Sequence, residues 1–392
     1  MGQRKFIDGN SAVAYGVMVS RAEVVAAYPI TPQTKIVEKI SELIADGLMD
    51  TEYIKVESEH SAMSACVGAA ATGVRTFTAT SSQGLAYMQE MLHYASGGRL
   101  PVVMAAVNRT LAPPWNIWGD HQDTISARDT GWIQLYVETG QEALDTTIQA
   151  FRIAEDPSVL TPVMLCLDAF VLSHTEEVIE IPTFEEVDQY LPPLRLKNTL
   201  DVDNPKTLCA GATPDYTMEY RFAQQKGIEN ARVIIDQANR EFEVILGRGY
   251  GGLVDYYRTG GAQAVLLVLG SLAGTIRDVV DEMRAEGFPV GLMRIRAFRP
   301  FPTEAVRRMA VDTHFLGVVD RDLSFGYEGA LYTEVKAALY GGASCPSVRS
   351  YIAGLGGRDV TKADIRQMFM DMLQAAAPEP YPAMRFTGLK TF

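Results

Sequence analysis

Ala26-Ala27-Tyr28-Pro29-Ile30-Thr31-Pro32, Val56-Glu57-Ser58-Glu59-His60-Ser61-Ala62, Thr80-Ser81-Ser82-Gln83-Gly84 and Val107-Asn108-Arg109 belong to one stretch, residues 26–109, whose reading decides the fold. Each fragment sits where an apolar run stops and a helix pattern or loop starts. In a parallel α/β sheet such junctions fall on one edge, outside the carboxyl ends of the strands. A threonine, a carboxylate, a glycine-bearing turn and an arginine are therefore expected to converge on one crevice.

The flanking pattern agrees. Residues 1–9 read as a short lead and 11–20 as a small helix. Residues 22–28 form a short apolar strand. Pro32 opens a helix carrying Ile36, Val37, Ile40, Leu43 and Ile44 at helical spacing, with Gly47 as its stop. Strands at 53–56, 74–80, 100–107, 132–137 and 163–170 alternate with helices. One helix carries the small residues Ala62, Ala65, Cys66, Ala69 and Ala70; another covers 81–94 with Leu85, Met88 and Leu92 inward; a third covers 141–154. That alternation implies right-handed crossovers and a parallel sheet covered on both faces. From residue 181 the pattern weakens at Pro182, Pro192, Pro193 and Pro205, and a long helix follows over 216–246. Strand and helix signals resume near Ala262. The expected class is α/β: a parallel-sheet domain over 1–180, a connecting arm and helix over 181–261, and a smaller α/β unit over 262–392.

Composition bounds the function. With 392 residues, 47% of them apolar, the chain buries full cores. A net charge of −13 argues against a nucleic-acid surface. No apolar run reaches bilayer length, and the first residues lack a secretory apolar segment, so a cytoplasmic protein is expected. Cys66, Cys166, Cys209 and Cys345 are widely spaced, without a C-x-x-C, and read as buried or incidental thiols rather than as cluster ligands.

Each candidate has two readings. Glu59 lies at a strand-to-helix junction, where a helix N-terminus favours an anion; pattern alone favours an ordinary cap or first-turn charge, and Glu57 and Glu52 are nearby competitors. Thr31 before Pro32 reads as an N-cap, worth about 1 kcal/mol, or as part of an anion site at a helix start. Arg109 is either the bidentate partner of a carboxylate ligand or a salt-bridge residue. Asp120-His121-Gln122-Asp123 invites a metal reading, but four polar loop residues are expected to be solvent-exposed. No metal ligands are assigned. P-loop and nucleophile-elbow motifs are absent.

Together, Tyr28-Pro29-Ile30-Thr31-Pro32, Ser58-Glu59-His60-Ser61-Ala62, Ser82-Gln83-Gly84, Asn108-Arg109-Thr110, Ala112-Pro113-Pro114-Trp115, Arg128-Asp129-Thr130-Gly131-Trp132, Gly270-Ser271 and Arg296-Ala297-Phe298-Arg299-Pro300-Phe301 resemble the α subunit of the pyruvate:ferredoxin oxidoreductases, within the wider 2-oxoacid:acceptor oxidoreductase family. The resemblance implies a pyrimidine-type thiamine diphosphate-binding domain followed by a domain like the C-terminal one of transketolases. It implies that Glu59 hydrogen-bonds the cofactor's aminopyrimidine ring and is catalytic. Thr31 and Arg109 would hold the substrate carboxylate, with Tyr28, Pro29, Ile30, Ser82 and Gln83 lining the cofactor.

The resemblance further implies oxidative decarboxylation of a 2-oxoacid, pyruvate first, to acyl-CoA, with coenzyme A as co-substrate and electrons leaving through [4Fe-4S] clusters to ferredoxin. The chain has neither a diphosphate–Mg2+ motif nor a cluster's cysteines. A β subunit carrying Mg2+ and the diphosphate motif, a γ subunit and a ferredoxin-like δ subunit are therefore expected, in a dimer of heteromers. His60 and Ser61 stand where the resemblance implies smaller residues for pyruvate. That keeps open an aromatic or branched substrate such as phenylglyoxylate, with NAD as final acceptor. The Trp115–Trp118 loop lines that pocket or packs at a subunit contact. Rival readings are a non-redox transketolase-like enzyme and a non-catalytic scaffold.

Overall fold

A computed structural model describes residues 2–342, 346–375 and 384–390. In chain order the first half comprises β1 (Gln3–Asp8), α1 (Gly9–Val19), β2 (Val24–Ala27), α2 (Thr34–Ala45), β3 (Glu52–Lys55), α3 (Glu59–Ala71), β4 (Thr76–Thr80), α4 (Ser82–Tyr87), α5 (Gln89–Gly97), β5 (Val103–Asn108), α6 (Gln122–Ser126), β6 (Ile133–Tyr136), α7 (Gly140–Ala154) and β7 (Val163–Asp168). Next come β8 (Glu176–Ile181), α8 (Phe184–Tyr190) and α9 (Pro214–Leu246). The remainder is β9 (Val254–Tyr257), β10 (Ala264–Val268), α10 (Leu272–Ala285), β11 (Val290–Ile295), β12 (Ala297–Arg299), α11 (Thr303–Val311), β13 (Phe315–Asp320), α12 (Ala330–Leu339), β14 (Ser347–Ile352), α13 (Lys362–Leu373) and β15 (Arg385–Phe386).

The strands build a seven-stranded sheet in the order β12-β6-β7-β5-β4-β2-β3 and a six-stranded sheet in the order β15-β14-β13-β10-β11-β9. Both are parallel except at one edge, where β12 runs against β6 and β9 against β11. Each residue of β4, β5 and β7 is buried, as strands covered on both faces require. The fold is the α/β arrangement expected, a large parallel-sheet domain followed by a smaller α/β unit.

The details differ from the pattern in several places. Residues 3–8 are not a lead: they form β1, which pairs antiparallel with β8. The helix expected over 81–94 is two helices meeting at Met88, where ψ of −7° departs from the helical range. Met88 and Leu92 stay buried across the bend while Tyr87 and Tyr94 remain exposed. The arm contains a short helix, α8, whose Thr183–Glu186 capping box is complete. Helix α9 opens with Pro214 and closes on Gly247 at φ 72°, a left-handed conformation that glycine adopts without steric cost.

One hydrophobic cluster joins the two sheets, with Met104, Ala106 and Tyr136 continuous with Leu267, Met293, Phe298 and Val318. Buried charge adds to it. Glu142 of α7 receives Arg294 Nη1 at 2.6 Å and Arg296 Nε at 2.9 Å. Both arginines come from residues beyond 262, so the domains share a core and an ion-pair cluster. Cys66 and Cys166 are buried and Cys209 is half-buried, all as free thiols; Cys345 lies outside the described residues. Burial pushes the Cys66 thiol up to about 12, which removes its nucleophilic form. No helix among the described residues is long and apolar enough to cross a membrane.

Candidate active site

Glu59 is the first residue of α3. Ser58 caps that helix from an extended conformation (φ −160°), its hydroxyl accepting from Ser61 N–H at 3.2 Å. The cap turns the chain sharply out of the strand end, so Glu59 points inward and is 8% exposed. Across from it, β4 ends at Thr80 and α4 begins at Ser82. Gly84 of α4 packs directly on the Glu59 side chain: a Cβ there would lie 2.8 Å from Glu59 Oε1.

Arg109 follows β5 and is 5% exposed. Its Nη1 donates to the Thr31 carbonyl at 2.7 Å and its Nη2 to Gln83 Oε1 at 2.6 Å. Its Nε is buried without a partner among the described residues. Burial lowers the guanidinium's proton affinity, and the negative charges of Asp123 and Glu59 act against that loss. Glu59 and Arg109 thus belong to one electrostatic site. Gln83 Oε1 also accepts from the Ser82 hydroxyl at 2.6 Å, so this amide oxygen is held from two sides.

Thr31 is in the crevice but not as a cap. The helix starts at Thr34, and its N-cap position is Gln33, which makes no side-chain cap bond. Thr31 is exposed and offers its carbonyl to Arg109. The reason lies in Gln33: its Oε1 accepts from Ile30 N–H at 3.2 Å and its backbone N–H donates to the Ile30 carbonyl. That closed turn sets the helix start two residues downstream of Pro32. Tyr28 and Pro29 are exposed and Ile30 is partly buried on the same turn.

The expectation of a solvent-exposed Asp120–Asp123 loop is wrong. Asp120, His121 and Asp123 are all buried. The second domain covers Asp120 and His121, with His121 N–H donating to the Arg321 carbonyl and Gly356 N–H to Asp120 Oδ2 at 2.9 Å, whereas Asp123 is held by residues of the first domain. His121 Nε2 lies 2.8 Å from Asp168 Oδ1, which also pairs with Arg321 Nη1 at 2.7 Å. Asp168 Oδ2 accepts from Ser271 N–H at 2.8 Å. Among the described residues no group of three or more His, Cys, Asp and Glu side chains is arranged to hold a metal ion.

The sequence reading gave no site role to Asp123, Asp168, Arg321 or Ser271. Asp123 Oδ2 accepts from both Ser82 N–H and Arg109 N–H, each at 3.0 Å. Asp168, Arg321 and Ser271 tie the crevice edge to the second domain. The sequence signals were the Asp120–Asp123 tetrad and Gly270-Ser271, and the burial of Asp120 and His121 depends on residues about 200 positions away.

The tryptophan loop splits in two directions. Trp115 is exposed, while Trp118 packs near Phe170 (ring centroids 6.2 Å) and against the Gly357 turn of the second domain. His60 is half-exposed beside Tyr87, ring centroids 6.0 Å apart. A separate cavity of about 600 Å³ between α5, the arm and α9 includes His93, Cys209 and Tyr220 in its lining and shares no residue with this crevice.

The donor set fits the pyrimidine half of thiamine diphosphate. A dry carboxylate stands at a helix start, and Thr80 Oγ1 beside it is buried without a partner among the described residues. Such an orphaned hydroxyl costs free energy unless a ligand or water satisfies it.

Comparison with known proteins places this geometry. Residues 15–240 match the family described as pyruvate flavodoxin/ferredoxin oxidoreductase, thiamine diphosphate-binding, and residues 262–365 match pyruvate:ferredoxin oxidoreductase core domain II. The chain is 51% identical over 369 residues to pyruvate synthase subunit PorA of Methanocaldococcus jannaschii, covering 93% of this chain and 94% of that one. It is 48% identical over 370 residues to ketoisovalerate oxidoreductase subunit VorA of Pyrococcus abyssi, covering 94% and 93%. A solved 2-oxoglutarate:ferredoxin oxidoreductase from Magnetococcus marinus, with 2-oxoglutarate, coenzyme A and succinyl-CoA bound, superposes with a TM-score of 0.75 at 19% identity; it covers 95% of this chain, which spans 65% of that one. The chain belongs to the pyruvate flavodoxin/ferredoxin oxidoreductase family, whose thiamine diphosphate-binding model residues 15–240 match.

Proposed function

We propose that this chain is the α-type subunit of a cytoplasmic, multi-subunit 2-oxoacid:ferredoxin oxidoreductase acting first on pyruvate. The net reaction converts a 2-oxoacid, coenzyme A and two oxidised ferredoxins to acyl-CoA, carbon dioxide, one proton and two reduced ferredoxins. The observation that carries the reading is Arg109. Its guanidinium is buried, aimed by Gln83 and the Thr31 carbonyl, shares the field of Glu59, and keeps Nε free. A guanidinium so placed is the natural bidentate partner of a carboxylate.

When bound, thiamine diphosphate supplies the nucleophilic carbon and the electron sink. This chain's residues do the rest. Glu59 holds the proton exchanged with the aminopyrimidine ring, because a carboxylate in a dry site shares a proton strongly with a ring nitrogen. Arg109 orients the substrate carboxylate, and Gln83 and Thr31 fix Arg109. Ser82 holds Gln83, and Tyr28, Pro29 and Ile30 line the cofactor's edge.

A partner β subunit supplies the diphosphate–Mg2+ motif. The [4Fe-4S] clusters reside in the β and ferredoxin-like δ subunits, with a γ subunit completing a dimer of heteromers. Support comes from relatives that are themselves named as subunits. A branched 2-oxoacid is the second reading, favoured by the relative named ketoisovalerate oxidoreductase subunit.

The test is native mass spectrometry of the complex from its source, with thiamine, iron and sulfide analysis and a 2-oxoacid panel assayed with coenzyme A and ferredoxin. Companion chains, all three cofactors and highest kcat/KM for pyruvate are expected. A complex without thiamine diphosphate, or without coenzyme A-dependent electron transfer from any 2-oxoacid, overturns the reading. Highest kcat/KM for a branched acid selects the second substrate.

A further inference from the structure

We infer that Asp123 is a positioning residue for 2-oxoacid binding: its buried carboxylate ties the end of β4 to the end of β5 and thereby aims Arg109. The inference rests on the reading of Arg109 as the partner of the substrate carboxylate.

Four N–H donors converge on Asp123. Its Oδ2 accepts from the backbone N–H groups of Ser82 and Arg109 at 3.0 Å each. Its Oδ1 accepts from Asn108 Nδ2 at 2.9 Å and Thr124 N–H at 2.8 Å. Ser82 opens α4 after β4, and Arg109 follows β5. These two chain ends carry the two groups that meet in the crevice, Gln83 and Arg109. None of the described hydrogen bonds joins the Asp123 side chain to the Arg109 guanidinium, so its hydrogen bonds aim Arg109 through the backbone while its charge acts on the guanidinium through space.

The Ser82 turn gives that clamp a mechanical purpose. Ser82 has φ of 48°, a left-handed conformation rarely adopted by a residue with a Cβ. A backbone held there needs surroundings that over-determine it. The N–H bond to Asp123 and the hydroxyl, whose single proton is shared between Gln83 Oε1 at 2.6 Å and the Thr110 carbonyl at 2.7 Å, do so. Gln83 is thereby presented to Arg109 Nη2, and Gly84, one residue on, packs on Glu59.

Only a carboxylate fits four donors. An asparagine has one acceptor oxygen, and its NH2 group would face either two backbone amides or the Asn108 amide and the Thr124 N–H. Burial pushes the Asp123 carboxyl up to about 6, with the N–H groups of Arg109, Asn108 and Ser82 acting against the rise. Four donors aimed at its two oxygens match the anionic, acceptor-only form of the group.

The experiment is a double-mutant cycle in the assembled complex with Asp123→Asn and Arg109→Ala. If Asp123 acts through Arg109, Asp123→Asn raises the 2-oxoacid KM about tenfold, the loss expected for a misdirected charge-assisted pair. The KM for coenzyme A stays unchanged. In the Arg109→Ala background the same substitution adds less than about twofold, because coupled sites are non-additive. An equal effect in both backgrounds, or a matching rise in both KM values, overturns the inference. So does an unchanged KM in Asp123→Asn while Arg109→Ala raises it, an outcome that leaves the functional reading standing. An unchanged KM in Arg109→Ala removes that reading and the inference with it. If Asp123→Asn does not assemble, Asn108→Ala withdraws a single donor from Oδ1. It is expected to raise the 2-oxoacid KM about threefold with the same loss of effect in Arg109→Ala, and an unchanged KM overturns the inference.

Discussion

Gly84 and Glu59 pack so closely that a single added carbon cannot fit between them. A Cβ on Gly84 would lie 2.8 Å from Glu59 Oε1 and 2.9 Å from Glu59 Cγ, with the Thr80 hydroxyl closer still. The backbone of α4 is the wall against which the Glu59 carboxylate is set. We expect Gly84→Ala to displace that carboxylate while the complex still assembles. Overpacking of this kind costs about 1–3 kcal/mol, and kcat should fall about tenfold or more, together with thiamine occupancy. Steady-state kinetics and cofactor analysis check this, and full kcat in the alanine variant would show that Glu59 has room to spare.

Glu59→Gln keeps the volume and removes the charge. If Glu59 holds the exchanging proton, turnover drops by about a hundredfold or more. Native mass spectrometry should show the same assembly as the unmodified complex. Normal turnover would strike Glu59 from the catalytic role.

Arg109→Ala should raise the 2-oxoacid KM by roughly 30- to 150-fold, the equivalent of about 2–3 kcal/mol for one charge-assisted pair. Thiamine diphosphate affinity is expected to be spared. Arg109→Lys should recover little, since one ammonium lacks the planar fork that reaches the Thr31 carbonyl and Gln83 Oε1 together. Titration of cofactor into stripped complex, beside substrate kinetics, separates the two effects.

The junction of the domains should respond to acid. Burial opposes ionisation of Asp168, yet the charges of Arg321 and His121 outweigh it and hold the carboxyl well below its usual range. A carboxyl depressed in the folded state contributes stability above its unfolded value, about 3.9, and loses it as pH falls toward the folded value. Arg321→Ala would leave that carboxylate buried and without its guanidinium partner, at a cost of about 3–5 kcal/mol. Melting temperatures between pH 3 and 8 should show a large deficit in the variant at neutral pH that narrows in acid, as Asp168 takes up a proton. A deficit that does not change with pH would count against the pairing as its cause.

How much was legible in the sequence follows from the range of each interaction. Glu59, Ser82, Gln83 and Arg109 each lie at the end of an apolar run. Strand ends in a parallel sheet share one edge, so their meeting was readable from periodicity alone. Thr31 was readable as a neighbour but not as a backbone acceptor. Its helix start moved to Thr34 because Gln33 closes a local turn on Ile30, and propensity carries no trace of that side-chain bond.

The sequence by itself determined the α/β order, the crevice-forming junctions and, through combined motifs, the family. These depend on local periodicity and residue type, which the chain states directly. Only the tertiary structure decided that Asp120, His121 and Asp123 are buried, that Asp168 binds Arg321 and Ser271, and that β12 completes the first sheet from the second domain. Asp123 takes its partners from up to 41 positions away, and the other outcomes depend on groups more than a hundred residues apart. Whether a polar loop is wet or dry is set by what folds over it, and no local pattern records that.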